Sequence, residues 1–100
     1  MVGHYTKFTT RAEDRTRLAS LLSQAAAAMG KLAGCKLYEI ALDATDSAVT
    51  VVNEVWTDES AHDESLQTEA AETLIAQAMP LMVAPSKQIR FGSIVADWLD

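Results

Sequence analysis

The sequence contains few of the residues that cross-link, break or anchor a chain. Its 100 residues include one cysteine, two prolines and four glycines. A single cysteine excludes an internal disulfide, so we expect a reducing, cytoplasmic environment. So little glycine and proline excludes a collagen-like or disordered chain. No apolar run approaches the roughly 20 residues that span a bilayer, and no basic segment followed by an apolar one predicts a signal peptide.

Positive charge is also scarce, and the middle of the chain has none. The net charge is −6, and the stretch from Leu37 to Ser86 contains ten of the fourteen acidic residues and no lysine or arginine. Nucleic acids and anionic membrane surfaces need clustered positive charge, so neither is expected as a partner. The acidic stretch is typical of a solvated helix face.

Signatures of nucleotide and metal sites are missing as well. The sequence has no GxGxxG motif and no P-loop, which excludes a recognisable nucleotide site. His4 and His62 are the only histidines and have no ligand spacing between them, so no metal site is expected. The lone Cys35 is more typical of a small buried apolar residue than of a nucleophile.

The hydrophobic residues that are present, 49% of the total, suffice for one globular domain over residues 1–100. Alternation and β-branched content predict four strands, over residues 2–9, 35–43, 48–56 and 87–95. Only a short polar turn separates the second strand from the third, so these two are expected to form an antiparallel hairpin.

Two helical regions separate the remaining strands. The first is predicted over residues 11–29, where Thr10 and Glu13 have the spacing of a capping box. Its apolar stripe consists of Leu18, Leu21, Leu22, Ala25 and Met29. The second begins after a cap at Thr57 or Asp58, is broken near residues 67–70, and ends at Pro80.

The resulting order of elements predicts an α+β fold. Strand, helix, strand, strand, helix, strand is the ferredoxin-like split βαβ arrangement, a four-stranded antiparallel sheet with both helices on one face. The other face carries apolar side chains and is left uncovered. Exposed apolar patches of that kind mark interfaces, so we expect a homodimer that closes two sheets against each other.

Three short motifs add a family resemblance. They are Gly34-Cys35-x-x-Tyr38, Glu54-x-Trp56-x-Asp58-x-x-Ala61-His62 and Ser65-Leu66. Their order and spacing resemble the antibiotic-biosynthesis monooxygenase (ABM) family, from the first strand through Phe91. The resemblance implies a dimeric α/β barrel with a pocket in each subunit between the sheet and the helices.

The resemblance also implies an activity. Enzymes of this family oxidise quinols or other electron-rich aromatics with O2 and use neither metal nor flavin, so no cofactor is expected and the ligand would be a small aromatic or quinone-like molecule. Two alternatives stay open. One is a non-catalytic dimeric protein that binds a small ligand, and the other, less favoured, is a haem-binding or haem-degrading protein. Many relatives carry a histidine one helical turn beyond His62, where this chain has Ser65.

His62 is the candidate catalytic residue. Oxidation without a cofactor needs a base that deprotonates the phenol or quinol, and imidazole titrates in the right range. The alternative for His62 is a helix-surface histidine paired with Asp58 or Glu59.

Three further residues are candidate substrate-binding groups. Trp56 would form a stacking platform, or else a rim aromatic that packs the second helix on the sheet. Glu54 shares its strand face and would be a base or an ion-pair partner of Arg90 or a lysine. Tyr38 would donate a hydrogen bond to a substrate oxygen or serve as a buried structural tyrosine.

Overall fold

The computed structural model describes residues 1–92. Four strands alternate with helices along the chain: β1 (Val2–Thr9), α1 (Arg15–Met29), β2 (Cys35–Leu42), β3 (Val49–Trp56), α2 (Glu59–Ser65), α3 (Glu69–Ala78) and β4 (Lys87–Gly92). Short 3-10 turns lie at Ala12–Asp14 and Met79–Leu81. The strand expected over 87–95 is confirmed up to Gly92, and residues 93–95 lie outside the described residues.

The four strands form one antiparallel sheet in the order β2-β3-β1-β4. This is the ferredoxin-like arrangement predicted from the order of elements, and the β2–β3 hairpin is confirmed. The register pairs His4 with Glu54 on one side and with Arg90 on the other, while Tyr38 pairs with Glu54. Partners in register share a face of the sheet. One row of side chains therefore crosses all four strands: Tyr38, Glu54, His4 and Arg90.

The helices pack on that same face. All five residues of the predicted α1 stripe are buried, and Leu18 is completely so. Leu18 and Leu22 pack against Val52 of β3, while Met29 packs against Trp56 and Ala71. Each buried Leu, Val or Met side chain contributes about 1.5–3 kcal/mol when it leaves water. The core therefore lies between α1, α3 and the middle of the sheet.

The start of α1 differs from the expectation, and the predicted capping box is wrong. The backbone N–H of Thr10 donates to the carbonyl of Ala48 at 2.9 Å, and Thr10 also forms an isolated bridge with Met82. The residue is 1% exposed. Because these bonds extend the strand through Thr10, it cannot cap a helix there. The chain instead passes through a 3-10 turn, and α1 begins at Arg15.

The second helical region consists of two helices, which confirms the break expected near residues 67–70. Asp58 caps α2 by accepting from the backbone N–H of Ala61 at 2.8 Å. Thr68 caps α3 by accepting from the N–H of Ala71 at 3.2 Å. Two separate caps allow the short α2 to take its own direction over the sheet. No helix in the described part of the chain is long and apolar enough to cross a membrane.

The opposite face of the sheet exposes apolar side chains. Leu37 of β2 and both Ile89 and Phe91 of β4 are 38%, 60% and 41% exposed, respectively. In each strand these residues alternate with those that face the helices. Within residues 1–92, both long helices lie on the other side.

Candidate active site

A cavity of about 880 Å³ lies between the sheet and the helices. Its walls are mostly apolar and come from α1, α3 and the segment after α3, including Leu18, Leu22, Leu74, Ile75 and Met79. The polar lining comes mainly from strand positions in register with one another and from α2, including His4, Glu54, Glu59, His62 and Arg90. An apolar space with a few convergent polar groups is typical of a small-molecule site.

Strand register and the position of α2 assemble these polar groups. Glu54, His4 and Arg90 belong to the cross-strand row, so their side chains stand beside one another. The helix α2 lies over these three residues of the row and supplies Glu59 and His62. The two side chains share a helix face because they are three residues apart.

His62 lies against this cavity rather than on the outer helix surface. Its side chain is 11% exposed, and its Nε2 atom is 4.0 Å from Glu54 Oε1. Its Nδ1 atom is 3.7 Å from Glu59 Oε1 and 3.5 Å from Asp63 Oδ1. That Nδ1 atom is buried and makes no hydrogen bond within the described residues. The structure therefore gives His62 carboxylate neighbours on both sides of the ring.

His4 also belongs to the site, although the sequence motifs did not indicate it. Its ring stacks on that of His62 with centroids 3.7 Å apart and planes 11° apart. Its Nε2 atom lies 3.2 Å from Glu59 Oε1. Alternation along β1 places His4 on the same face as Thr6 and Phe8, and this was the available signal that it faces the helices. The donor atoms of His4, Glu59 and His62 are close enough together to hold a metal ion.

Trp56 and Glu54 form a fixed pair beneath His62. The indole N–H of Trp56 donates to Glu54 Oε1 at 3.0 Å, and the indole meets the His62 ring edge-on with centroids 6.1 Å apart. Trp56 is fully buried and is not among the residues that line the cavity. Its ring is thus placed to hold Glu54 rather than to stack on a substrate. Arg90, one of the expected partners of Glu54, instead lies 3.8 Å from Glu59.

Tyr38 and Ser65 complete the polar lining. Burial raises the pKa of the Tyr38 hydroxyl far above its ordinary value, and the nearby Glu54 carboxylate adds to this shift. The hydroxyl therefore stays neutral and can donate a hydrogen bond. Ser65 is 1% exposed and donates its hydroxyl to the carbonyl of His62. This hydrogen bond closes the last turn of α2.

Comparison with known proteins supports this architecture. Residues 1–77 match the sequence profile of the family described as antibiotic biosynthesis monooxygenase. The chain belongs to this family. The match includes His4, Tyr38, Glu54, Glu59 and His62. A search of curated proteins found no match.

Solved structures show the same fold at low sequence identity. A Nitrosomonas europaea protein provisionally named an antibiotic biosynthesis monooxygenase is 14% identical, with a TM-score of 0.89 over 94% of this chain and 99% of that one. A similarly named protein from Chloroflexus aurantiacus is 25% identical, with a TM-score of 0.84 over 93% of this chain and 92% of that one. A third, from Deinococcus radiodurans, is 24% identical, with a TM-score of 0.83 over 93% of this chain and 92% of that one.

Proposed function

We propose that this ABM-family protein is a monooxygenase that oxidises a small aromatic or quinol substrate with O2 in the cavity between sheet and helices. The observation that carries the proposal is the position of His62, a largely buried imidazole at the polar end of an apolar cavity. A planar, weakly polar molecule fits such a space, because its ring replaces water against apolar walls while its hydroxyl meets the polar end.

His62 would act as the general base. A quinol hydroxyl beside the imidazole transfers its proton to the ring nitrogen, and the resulting anion gives an electron to O2 far more readily than the neutral quinol does. The neighbouring carboxylates of Glu54 and Glu59 stabilise the imidazolium that forms.

The quinol substrate supplies all the electrons that reduce O2. One oxygen atom of O2 forms a bond to the ring carbon, and the other leaves as water with the two hydrogen atoms that the quinol loses. The quinol becomes a hydroxyquinone and supplies every electron, so the chemistry needs no additional reductant. Tyr38 lines the cavity with a hydroxyl that stays protonated, and it would donate a hydrogen bond to a substrate oxygen.

The test is oxygen uptake across a panel of hydroquinones and naphthohydroquinones, compared with autoxidation in buffer. We expect His62→Ala to lower the enzymatic rate by roughly 100-fold or more, in line with loss of a general base. Glu64→Gln, which changes an exposed residue on the same helix, is the matched control and should keep the full rate. Uptake that never exceeds autoxidation, or a rate that survives His62→Ala, would refute the proposal.

A second function is favoured by Ser65. Residue 65 is a serine whose hydroxyl donates to the carbonyl of His62, so this position provides no second imidazole or other base in α2. The same cavity would then bind a small apolar ligand without turnover. Native mass spectrometry distinguishes the two functions, since a bound ligand that is recovered unchanged after aerobic incubation supports binding alone.

We also propose that the working unit is a homodimer. The support is the exposed apolar face of the sheet, which includes Leu37, Ile89 and Phe91. Burial of such a face against a second copy removes it from water and closes a barrel of two sheets.

A further inference from the structure

Three donor atoms at the polar end of the cavity have the spacing of a metal site. One atom each from His4, Glu59 and His62 lies within 4.8 Å of the other two. Glu59 Oε1 is 3.2 Å from His4 Nε2 and 3.7 Å from His62 Nδ1. A tetrahedral ion with bonds of about 2.0–2.1 Å holds its ligand atoms about 3.3 Å apart. The two measured distances from Glu59 Oε1 lie close to this value.

His62 supplies independent evidence for a missing ligand. Its Nδ1 atom is buried and makes no hydrogen bond within the described residues, although it faces Glu59. A buried polar atom without a partner is costly, and such atoms often mark the place of an ion or water. The other ring nitrogen, Nε2, faces Glu54 at 4.0 Å. A ligating histidine commonly directs its second nitrogen towards a carboxylate in this way.

The charge around the cluster also favours a cation. Glu54, Glu59 and Asp63 all lie within 4.0 Å of His62, and the cationic Arg90 lies 3.8 Å from Glu59. Two imidazoles with one carboxylate suit borderline ions such as Zn²⁺, Co²⁺ and Fe²⁺, whereas Mg²⁺ and Ca²⁺ prefer sites built from oxygen.

We propose that His4, Glu59 and His62 form a binding site for one divalent first-row transition-metal ion. The two imidazoles are stacked, so their nitrogen lone pairs run side by side rather than converging. Metal binding turns one ring about its side-chain torsions, towards the shared oxygen of Glu59, and separates the stack. The remaining coordination positions face the cavity and are taken by water.

This site goes beyond the proposed oxidation and is argued from different observations. An ion on His62 occupies a nitrogen lone pair, and the metal-loaded protein then has no free imidazole at that position to accept a proton. We therefore expect the metal to inhibit the proposed oxidation. Metal binding is measured without any quinol, so the two proposals are tested separately. A protein that does not oxidise quinols could still bind the metal, and a protein that does not bind the metal could still oxidise quinols.

The experiment is titration of the chelator-treated full chain with Zn²⁺ by calorimetry, and with Co²⁺ by visible absorption. We expect one ion per chain, a Co²⁺ spectrum of low coordination number, and no binding of Mg²⁺. His4→Phe and His62→Phe keep an aromatic ring in the stack but remove the ligand nitrogen, and each should abolish the Co²⁺ spectrum. Glu59→Gln should weaken binding, and Glu54→Gln should weaken it about tenfold through the loss of the outer carboxylate.

Glu64→Gln is the matched control on α2 and should bind the metal as the parent does. Circular dichroism confirms that each variant is folded, and His4→Gln replaces His4→Phe if the larger ring prevents folding. Absence of Zn²⁺ and Co²⁺ binding overturns the proposal. Binding that persists unchanged in both histidine variants also overturns it, because the ion would then be held elsewhere.

Discussion

Trp56 donates its indole N–H to Glu54 Oε1 at 3.0 Å, so a fully buried ring in the core fixes a carboxylate at the wall of the cavity. The two residues lie on the same face of β3, and the indole also meets the edge of His62. Stability of the core and orientation of the polar groups therefore depend on the same side chain.

Trp56→Phe should separate these two effects. Phenylalanine keeps most of the apolar contact with Met29 and Ala71 but cannot donate to Glu54. A hydrogen bond to a charged group is worth about 1.5–3 kcal/mol, and we expect the free energy of unfolding to fall by that amount. Urea denaturation measures it. The same substitution made in a Glu54→Gln background should cost less, and an equal cost in both backgrounds would show that only packing was lost.

Gly34→Ala should displace α2 from the sheet. A Cβ atom at Gly34 would lie 2.5 Å from the Cβ of Ala61, one residue before His62. Gly34 has no positive φ, so the effect is steric. Overpacking of this kind costs about 1–3 kcal/mol, and the shift of α2 should also reduce quinol oxidation. Thermal unfolding of Gly92→Ala is the control, because no atom of residues 1–92 lies within 4 Å of a Cβ atom there.

The turn of the β2–β3 hairpin should lose stability in acid. Hydrogen bonds from the backbone N–H groups of Asp46 and Thr45, and from the Thr45 hydroxyl, lower the pKa of Asp43. A lowered folded-state pKa gives stabilisation that is complete above the unfolded value of about 3.9 and is lost as the pH falls through the folded value.

Asp43→Asn should therefore reduce the dependence of the urea midpoint on pH between about pH 5 and pH 2. Glu64→Gln serves as the control, since its exposed side chain lies away from the turn. If the parent and Asp43→Asn lose stability in parallel as the pH falls, the ionised carboxylate contributes nothing to the hairpin.

Ile89→Glu should weaken the proposed dimer. Ile89 is 60% exposed on the open face of the sheet, so a charge there is tolerated in the monomer but must be desolvated in a dimer. Loss of one buried isoleucine side chain alone is worth about 1.5–3 kcal/mol, which raises the dissociation constant at least about tenfold. Sedimentation velocity over a dilution series measures it. Gln77→Glu adds the same charge on α3 and should leave the dissociation constant unchanged.

Much of the fold follows from local pattern. The buried stripe of α1 obeys helical spacing, and Asp58, one of the two residues expected to cap α2, does so. The hairpin follows from a short polar turn between two alternating segments. Thr10 and Glu13 have the spacing of a capping box, but the prediction failed because a hydrogen bond from Thr10 to Ala48 and an isolated bridge with Met82 extend the sheet instead. When one residue can either cap a helix or pair with a distant strand, the long-range contacts decide which structure forms.

The candidate site was only partly predictable. His62, Glu54 and Tyr38 were expected from motif and chemistry, and the cavity includes all three in its lining. Trp56 was expected either as a stacking platform or as an aromatic that packs the second helix on the sheet, and it is fully buried outside the cavity lining. Its burial depends on α1 and α3 closing over it, which no property of β3 alone reveals.

The sequence by itself determined the order of strands and helices, which residues of each strand share a face, and the types of chemistry available. Only the tertiary structure decided that His4 of β1 stacks on His62 of α2 with Glu59 beside both. Sequence periodicity shows which side chains of a strand lie on the same face. The neighbour that it meets depends on the register between strands and on the direction that α2 takes over the sheet, both of which are set by contacts between distant parts of the chain.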